Sequence, residues 1–199
     1  MGSKQYKDRL YLNDGKGKFT FAEKAIPELT DSSGCVSAAD FDRDGDLDLF
    51  VGSRSVPGKY PLAPESRLLL NEGGTFSEAS AEISGGATKK GLVTSSLWSD
   101  FNGDGWIDLI LTLEWGPVAF FQNREGKLVD ATNDSGVEMN KGWWHGIAAG
   151  DLDADGDMDY VVTNQGNNSK YHTSAEHPHR LYYEAVSYTH LTLPTTPYV

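Results

Sequence analysis

Three nine-residue strings constrain this chain more than anything else in it: DFDRDGDLD from Asp40 to Asp48, DFNGDGWID from Asp100 to Asp108, and DLDADGDMD from Asp151 to Asp159. Each places acidic or amide side chains at its first, third, fifth and ninth positions, with glycine sixth. Carboxylates gathered this closely repel one another unless a cation lies among them. Calcium takes six to eight hard oxygen ligands at about 2.3–2.6 Å, and a loop supplies them from alternate residues, whose side chains turn to one interior while glycine permits the bend. In the first loop Asp40, Asp42 and Asp44 are expected to ligate through their side chains, Asp46 through its carbonyl and Asp48 by closing the site. The corresponding sets are Asp100, Asn102, Asp104, Trp106 (carbonyl) and Asp108, and Asp151, Asp153, Asp155, Asp157 (carbonyl) and Asp159, with bends at Gly45, Gly105 and Gly156. Three Ca2+ sites are expected.

An EF-hand begins the same way but needs a glutamate at its twelfth position and a helix on either side. Here the twelfth positions are Val51, Leu111 and Val162, each in an apolar run rich in β-formers. The strings therefore belong to a strand context.

A second motif alternates with the first. It reads RLYLNDGKGKF from Arg9, RLLLNEGGTF from Arg67 and AFFQNREGKL from Ala119, and RLYY from Arg180 begins a fourth copy. An apolar run, an asparagine, a glycine shortly after it and a return to apolar residues is a hairpin pattern. From Asn13, Asn71 and Asn123 to the next acidic string is 27, 29 and 28 residues, a nearly constant spacing. The other half of the repeat varies, with insertions in SRSVPGKYPLAPES and NQGNNSKYHTSAEHPH. Strand-like runs flank every acidic string (CVSAA and LFVGS, LVTSSLW and LILTL, GIAAG and YVVTN), and no helical periodicity persists over three turns. The unit is thus four short strands, A to D. The acidic loop joins A to B, the variable insertion joins B to C, and the glycine hairpin joins C to D. Tandem four-stranded units of this size predict an all-β chain forming a partial β-propeller of antiparallel blades. The expected divisions over residues 1–185 are a half blade at 9–22, whole blades at 34–80 and 92–131, and an incomplete blade at 143–184.

The acidic loop followed by an apolar strand and an LYLNDGKGKF hairpin resembles the FG-GAP/VCBS repeats of the integrin alpha-subunit propeller superfamily, over residues 9 to about 184. GWWHGIAAGDLDADGDMDYVVTN is also similar to bacterial extracytoplasmic members. The resemblance implies calcium in the A–B loops on one face and partner binding on the opposite face through the B–C and D–A connections. Partner contacts are then expected on the B–C segments, with Tyr60, Trp115 and Tyr171 as anchors for a protein or glycan.

Composition limits the alternatives. A formal charge of −12, much of it in the three strings, excludes nucleic acid as a partner, since phosphates would be repelled. Cys35 is the single cysteine, so no intrachain disulfide can staple the chain. No apolar run is long enough to span a membrane as a helix, and no signal peptide is present in MGSKQYKDRLYLND. The segment Val186–Thr195, VSYTHLTLPT, resembles the translation of a sequencing-library transposase adapter, so residues 186–199 are expected to be non-native.

The histidine-rich run YHTSAEHPH lacks standard metal-ligand spacing, and Trp115, Trp143 and Trp144 read as blade-packing or stacking residues. No nucleophile elbow or metalloprotease motif places a catalytic group. The functional expectation is a non-catalytic calcium-binding module that presents loops to a protein or glycan. The alternative is the accessory propeller of a larger secreted hydrolase or lyase. Either is expected outside the cytoplasm, where calcium reaches the roughly 10⁻⁴–10⁻³ M at which extracellular loops fill.

Overall fold

The computed structural model describes residues 7–29, 32–166, 174, 176–178 and 180. Among the described residues the regular structure is antiparallel β apart from one helical turn and two 3-10 turns. A short hairpin, β1 (Tyr11–Asn13) and β2 (Phe19–Phe21), comes first. Strands β3 (Ser32–Ala39), β4 (Asp48–Ser55), β5 (Arg67–Glu72) and β6 (Thr75–Glu78) then form a four-stranded sheet in chain order. The pattern repeats in β7 (Leu92–Ser99), β8 (Asp108–Gly116), β9 (Ala119–Asn123) and β10 (Leu128–Asp130). A third unit contributes β11 (Gly142–Gly150) and β12 (Asp159–Asn164). Each acidic string bridges the first two strands of its unit. This is the all-β, partial-propeller architecture that the repeats predict.

The blades stack face to face because their strands alternate. In β4, Phe50 turns towards the second blade, into a cluster with Leu68, Val93, Leu109, Leu111, Leu113, Phe121 and Leu128. Its neighbour Val51 turns the other way and packs with Leu69 against Leu29, from the segment after β2. A strand with apolar side chains on both faces must be covered on both, and β8 is buried at eight of its nine positions. The close approach of neighbouring blades leaves no room beside β4 at Gly52. A Cβ there would lie 2.5 Å from the Cys35 sulfur and 2.7 Å from a Val93 methyl.

Two features lie outside what the repeat pattern predicts. The connection from β6 to β7 contains a single helical turn, α1 (Ala81–Ser84), which is capped by the Ser80 hydroxyl accepting from the Ile83 N–H and ends at Gly85 in the left-handed conformation. The carbonyl of Leu128 packs against that glycine, where a Cβ would stand 1.8 Å away. In addition, the third blade is hydrogen-bonded to the second as well as packed on it. Only Pro117 and Val118 separate β8 from β9, and β9 pairs with β8 only at Leu109 to Leu111. The far end of β8 therefore keeps a free edge, which the start of β11 takes up through Gly142 to Gly116 and Trp143 to Glu114.

Candidate metal centre and the opposite face

The three acidic loops share one backbone conformation. Their sixth residues, Gly45, Gly105 and Gly156, have φ of 97°, 87° and 99°, the left-handed region that side chains with a Cβ avoid. Their fourth residues are also left-handed, at 65° for Arg43, 71° for Gly103 and 63° for Ala154. The need at position six is legible in the sequence, because all three loops have glycine there. The need at position four is hidden, because two loops fill it with residues that adopt the conformation at a cost.

The ninth aspartate of each loop does more than close a ring of ligands. Asp48 is fully buried; one of its oxygens accepts from the Phe41 N–H at 3.1 Å and the other from the Asn71 N–H at 2.9 Å. Asp108 repeats this with the N–H groups of Phe101 (3.1 Å) and Asn123 (2.7 Å). Asp159 accepts from Leu152 at 2.9 Å. Each of the first two aspartates thus ties its A–B loop to the hairpin asparagine of the same blade. The asparagines reciprocate: Asn71 donates from its side chain to the Leu47 carbonyl, and Asn123 to the Ile107 carbonyl. Asn123 also reaches the Phe41 carbonyl of the preceding blade at 2.8 Å. Sequence reading treated these asparagines only as turn formers.

The structure gathers some of the expected ligands and turns others aside. One oxygen each of Asp40, Asp42 and Asp48 lies within 4.8 Å of the others, and so does one each of Asp151, Asp153 and Asp159. Two oxygens bound to one calcium ion can be at most about 5 Å apart, so both trios have the right dimensions. Asp40 Oδ1 is buried and has no hydrogen-bond partner among the described residues. Asp44 and Asp155 lie outside these trios, with one oxygen accepting from the backbone N–H two residues on. The carboxylate of Asp46 turns outward to the Gly73 N–H at 2.7 Å.

In the second loop Asp100 accepts from the N–H groups of Gly103, Asp104 and Gly105. Asp104 accepts from the Trp106 N–H and from the side-chain amides of Asn102 and Gln122. Arg43 of the first loop crosses to this one, donating to the Gly105 carbonyl with its guanidinium 3.8 Å from the centre of the Trp106 ring.

The electrostatics follow from burial and crowding. Desolvation pushes the Asp108 carboxyl up to about 6; the Asn123 and Phe101 N–H groups pull it back and the charges of Asp104 and Asp100 add to the rise. Burial raises Asp48 in the same way. Asp157 is raised mainly by repulsion from Asp155, whereas Asp104 is lowered, first by the Trp106 N–H.

At the opposite end of the strands, two of the expected partner-binding residues meet. The Trp115 indole donates to the Tyr60 hydroxyl at 2.7 Å, and that hydroxyl donates to Glu114, which also accepts from Arg54. The Glu114 side chain is only 3% exposed. Desolvation and the bond to Glu114 raise the Tyr60 phenol above its ordinary value. The Trp143 ring lies 5.0 Å from that of Trp115, and the His145 ring stacks on Trp143 at 6.4 Å. Trp115 is left-handed, with φ of 69°, and belongs to the end of β8 rather than to a free loop. Tyr171, the third expected anchor, lies outside the described residues, as do His172 and His179.

No helix among the described residues is long and apolar enough to cross a membrane. The sequence model of the FG-GAP-like repeat matches residues 1–51 and 100–162, a span that includes all three acidic loops. No curated protein matches the chain.

Proposed function

Because the chain belongs to the family of FG-GAP-like repeat proteins, a family of generally non-catalytic repeat modules, we propose that it is a propeller module stapled by calcium in its A–B loops, presenting its opposite face to a partner outside the cytoplasm. The observation that carries this reading is Asp40 Oδ1, a buried carboxylate oxygen without a donor, beside the oxygens of Asp42 and Asp48. A buried anionic oxygen left unpaired costs several kcal/mol, and a cation among the three carboxylates removes that cost. The donor set is all oxygen, which suits calcium and excludes soft-metal preferences.

In the first loop Asp40, Asp42, Asp44, the Asp46 carbonyl and Asp48 would hold the ion; in the third, Asp151, Asp153, Asp155, the Asp157 carbonyl and Asp159. Calcium supplies charge neutralisation and cross-linking here. The chain's own residues do the rest: the left-handed fourth and sixth positions aim the carboxylates, and the ninth aspartate anchors the loop to its blade. A loop of modest affinity fills at extracellular rather than cytosolic calcium, which supports a location at a cell surface or in a periplasm.

The partner face is assigned to the end of the strands where Tyr60, Trp115, Trp143 and His145 cluster. Aromatic rings with a polar edge suit a protein or a glycan ligand. The calcium reading is tested by melting the full chain in millimolar calcium, in magnesium and in EDTA. Ion binding to the native state alone raises the melting temperature in proportion to occupancy. A calcium-specific upward shift is expected, and coincident melts in calcium and EDTA refute the proposal.

A further inference from the structure

We infer that the second acidic loop is closed by the chain's own donors rather than by a cation, so that calcium enters the first and third loops only. The inference rests on the calcium reading given above and changes the number of ions it implies. All six carboxylate oxygens of Asp100, Asp104 and Asp108 accept hydrogen bonds from the protein. Asp100 Oδ1 takes the N–H groups of Gly103 and Asp104, and Oδ2 that of Gly105. Asp108 is held by Phe101 and Asn123. Asp104 Oδ1 takes the Trp106 N–H at 2.8 Å. Its Oδ2 takes two neutral side-chain donors, Asn102 Nδ2 at 3.0 Å and Gln122 Nε2 at 3.1 Å.

The first and third loops share part of this closure, since Asp151 accepts from the Asp155 and Gly156 N–H groups as Asp100 does from those of Asp104 and Gly105, and Asp48 accepts on both oxygens, but neither completes it. Asp40 Oδ1 is buried without a donor, and the second oxygens of Asp44 and Asp155 accept no hydrogen bond among the described residues. The difference originates in three residues. Asn102 stands where the other loops have Asp42 and Asp153, so an amide donor replaces a carboxylate ligand. Gln122 comes from β9, fixed by a bond from Arg124 to its carbonyl oxygen at 3.1 Å. In the first blade the residue before the hairpin asparagine is Leu70, which offers no such donor.

The third is Arg43, which brings a permanent positive charge onto the loop, with its guanidinium on the Gly105 carbonyl and over the Trp106 ring. An entering divalent ion would have to displace two satisfied amides from Asp104 and sit close to a guanidinium that cannot deprotonate. The second loop is then a strut that holds its shape at any calcium level, and Arg43 ties the calcium-dependent first loop to it.

Calorimetric titration of the full chain with calcium to millimolar concentration, paired with flow dialysis, counts the ions directly. Two per chain are expected. Asp104→Ala leaves the count at two, while Asp44→Ala and Asp155→Ala each lower the count or weaken one site by at least tenfold. Combining Arg43→Gln, Gln122→Leu and Asn102→Asp restores a four-carboxylate loop and raises the count to three. A wild-type count of three, or an ion lost on Asp104→Ala, overturns the inference and leaves the calcium reading standing. A count of none overturns both, and a count of one overturns the assignment of ions to the first and third loops together.

Discussion

Asn123 is where the interlocking of blades can be measured. The residue is fully buried, and its side chain makes three hydrogen bonds: to the Phe41 carbonyl at 2.8 Å, to the Ile107 carbonyl at 3.0 Å, and from the Gly126 N–H at 2.9 Å. Asn123→Ala strands all three partners. An orphaned buried polar group costs about 1–3 kcal/mol; Phe41 is fully buried while Ile107 and Gly126 are partly wetted, so the sum is about 3–5 kcal/mol. Asn71 is the same residue in the same motif of the first blade, yet its side-chain bonds to the Leu47 carbonyl and from the Gly74 N–H are exposed. Asn71→Ala should therefore cost about 1 kcal/mol.

Urea denaturation in saturating calcium reads the difference. With a slope of about 2 kcal/mol/M, Asn123→Ala lowers the midpoint by about 1.5–2.5 M and Asn71→Ala by about 0.5 M. Asn123→Asp separates the strut from the turn: aspartate serves a hairpin nearly as well as asparagine, but it cannot donate to the two carbonyls. It should be at least as damaging as alanine. Equal midpoints for the two alanine variants, or a tolerated Asn123→Asp, would refute the strut.

Three further outcomes follow from the same geometry. Ala154→Gly relieves a left-handed residue at the fourth position of the third loop and should stabilise the chain by about 0.5–1 kcal/mol in urea titration, whereas Arg43→Gly, which relieves the same conformation but cuts the tie to Gly105 and Trp106, should not. Gly52→Ala forces a methyl against Cys35 and Val93 and should cost about 1–3 kcal/mol; an unchanged midpoint would mean the blades are less closely packed there. Tyr60→Phe removes a donor from the buried Glu114 and should cost about 1–2 kcal/mol. A neutral result would show that the Tyr60 hydroxyl is available to a partner instead.

The fold was legible because its two signals are local and repeated. Acidic strings in phase with β-rich runs fix where first and second strands meet, and Asn-Gly hairpins fix where third and fourth strands meet. The one-turn helix Ala81–Ser84 escaped because four residues are too few for a period to show. The pairing of β11 with β8 escaped because it depends on the two-residue gap between β8 and β9, whose effect appears only once the lengths of neighbouring strands are compared in space.

In the loops, the string named the acidic residues and marked the second loop as the weakest through Asn102, but it showed only that part of the difference. The rest of the difference between the second loop and the others lies in Gln122 and Arg43, which are respectively 18 residues after Asp104 and 62 residues before Gly105. Nothing local to DFNGDGWID reveals either. The same holds for Trp115, whose likeness to an exposed anchor in sequence conceals its bond to Tyr60 and its packing on Trp143.

The uneven spacing of the repeat has a physical reason in these contacts. Asp48 with Asn71, and Asp108 with Asn123, hydrogen-bond the A–B loop to the C–D hairpin at one end of each blade. The two nodes must therefore stay level, and a residue inserted into either would break a buried carboxylate away from its donors. At the other end the Ser53 N–H is held by the Ser66 hydroxyl at 3.0 Å, but the chain between the strands differs in length, β4 and β5 being separated by residues 56–66 and β8 and β9 by Pro117 and Val118 alone. Variation collects there because it costs little. A face held rigid by buried aspartates and a face free to change its connections are the two properties that the proposed binding role requires: the first keeps the blades in register, and the second lets the opposite surface diverge without disturbing them.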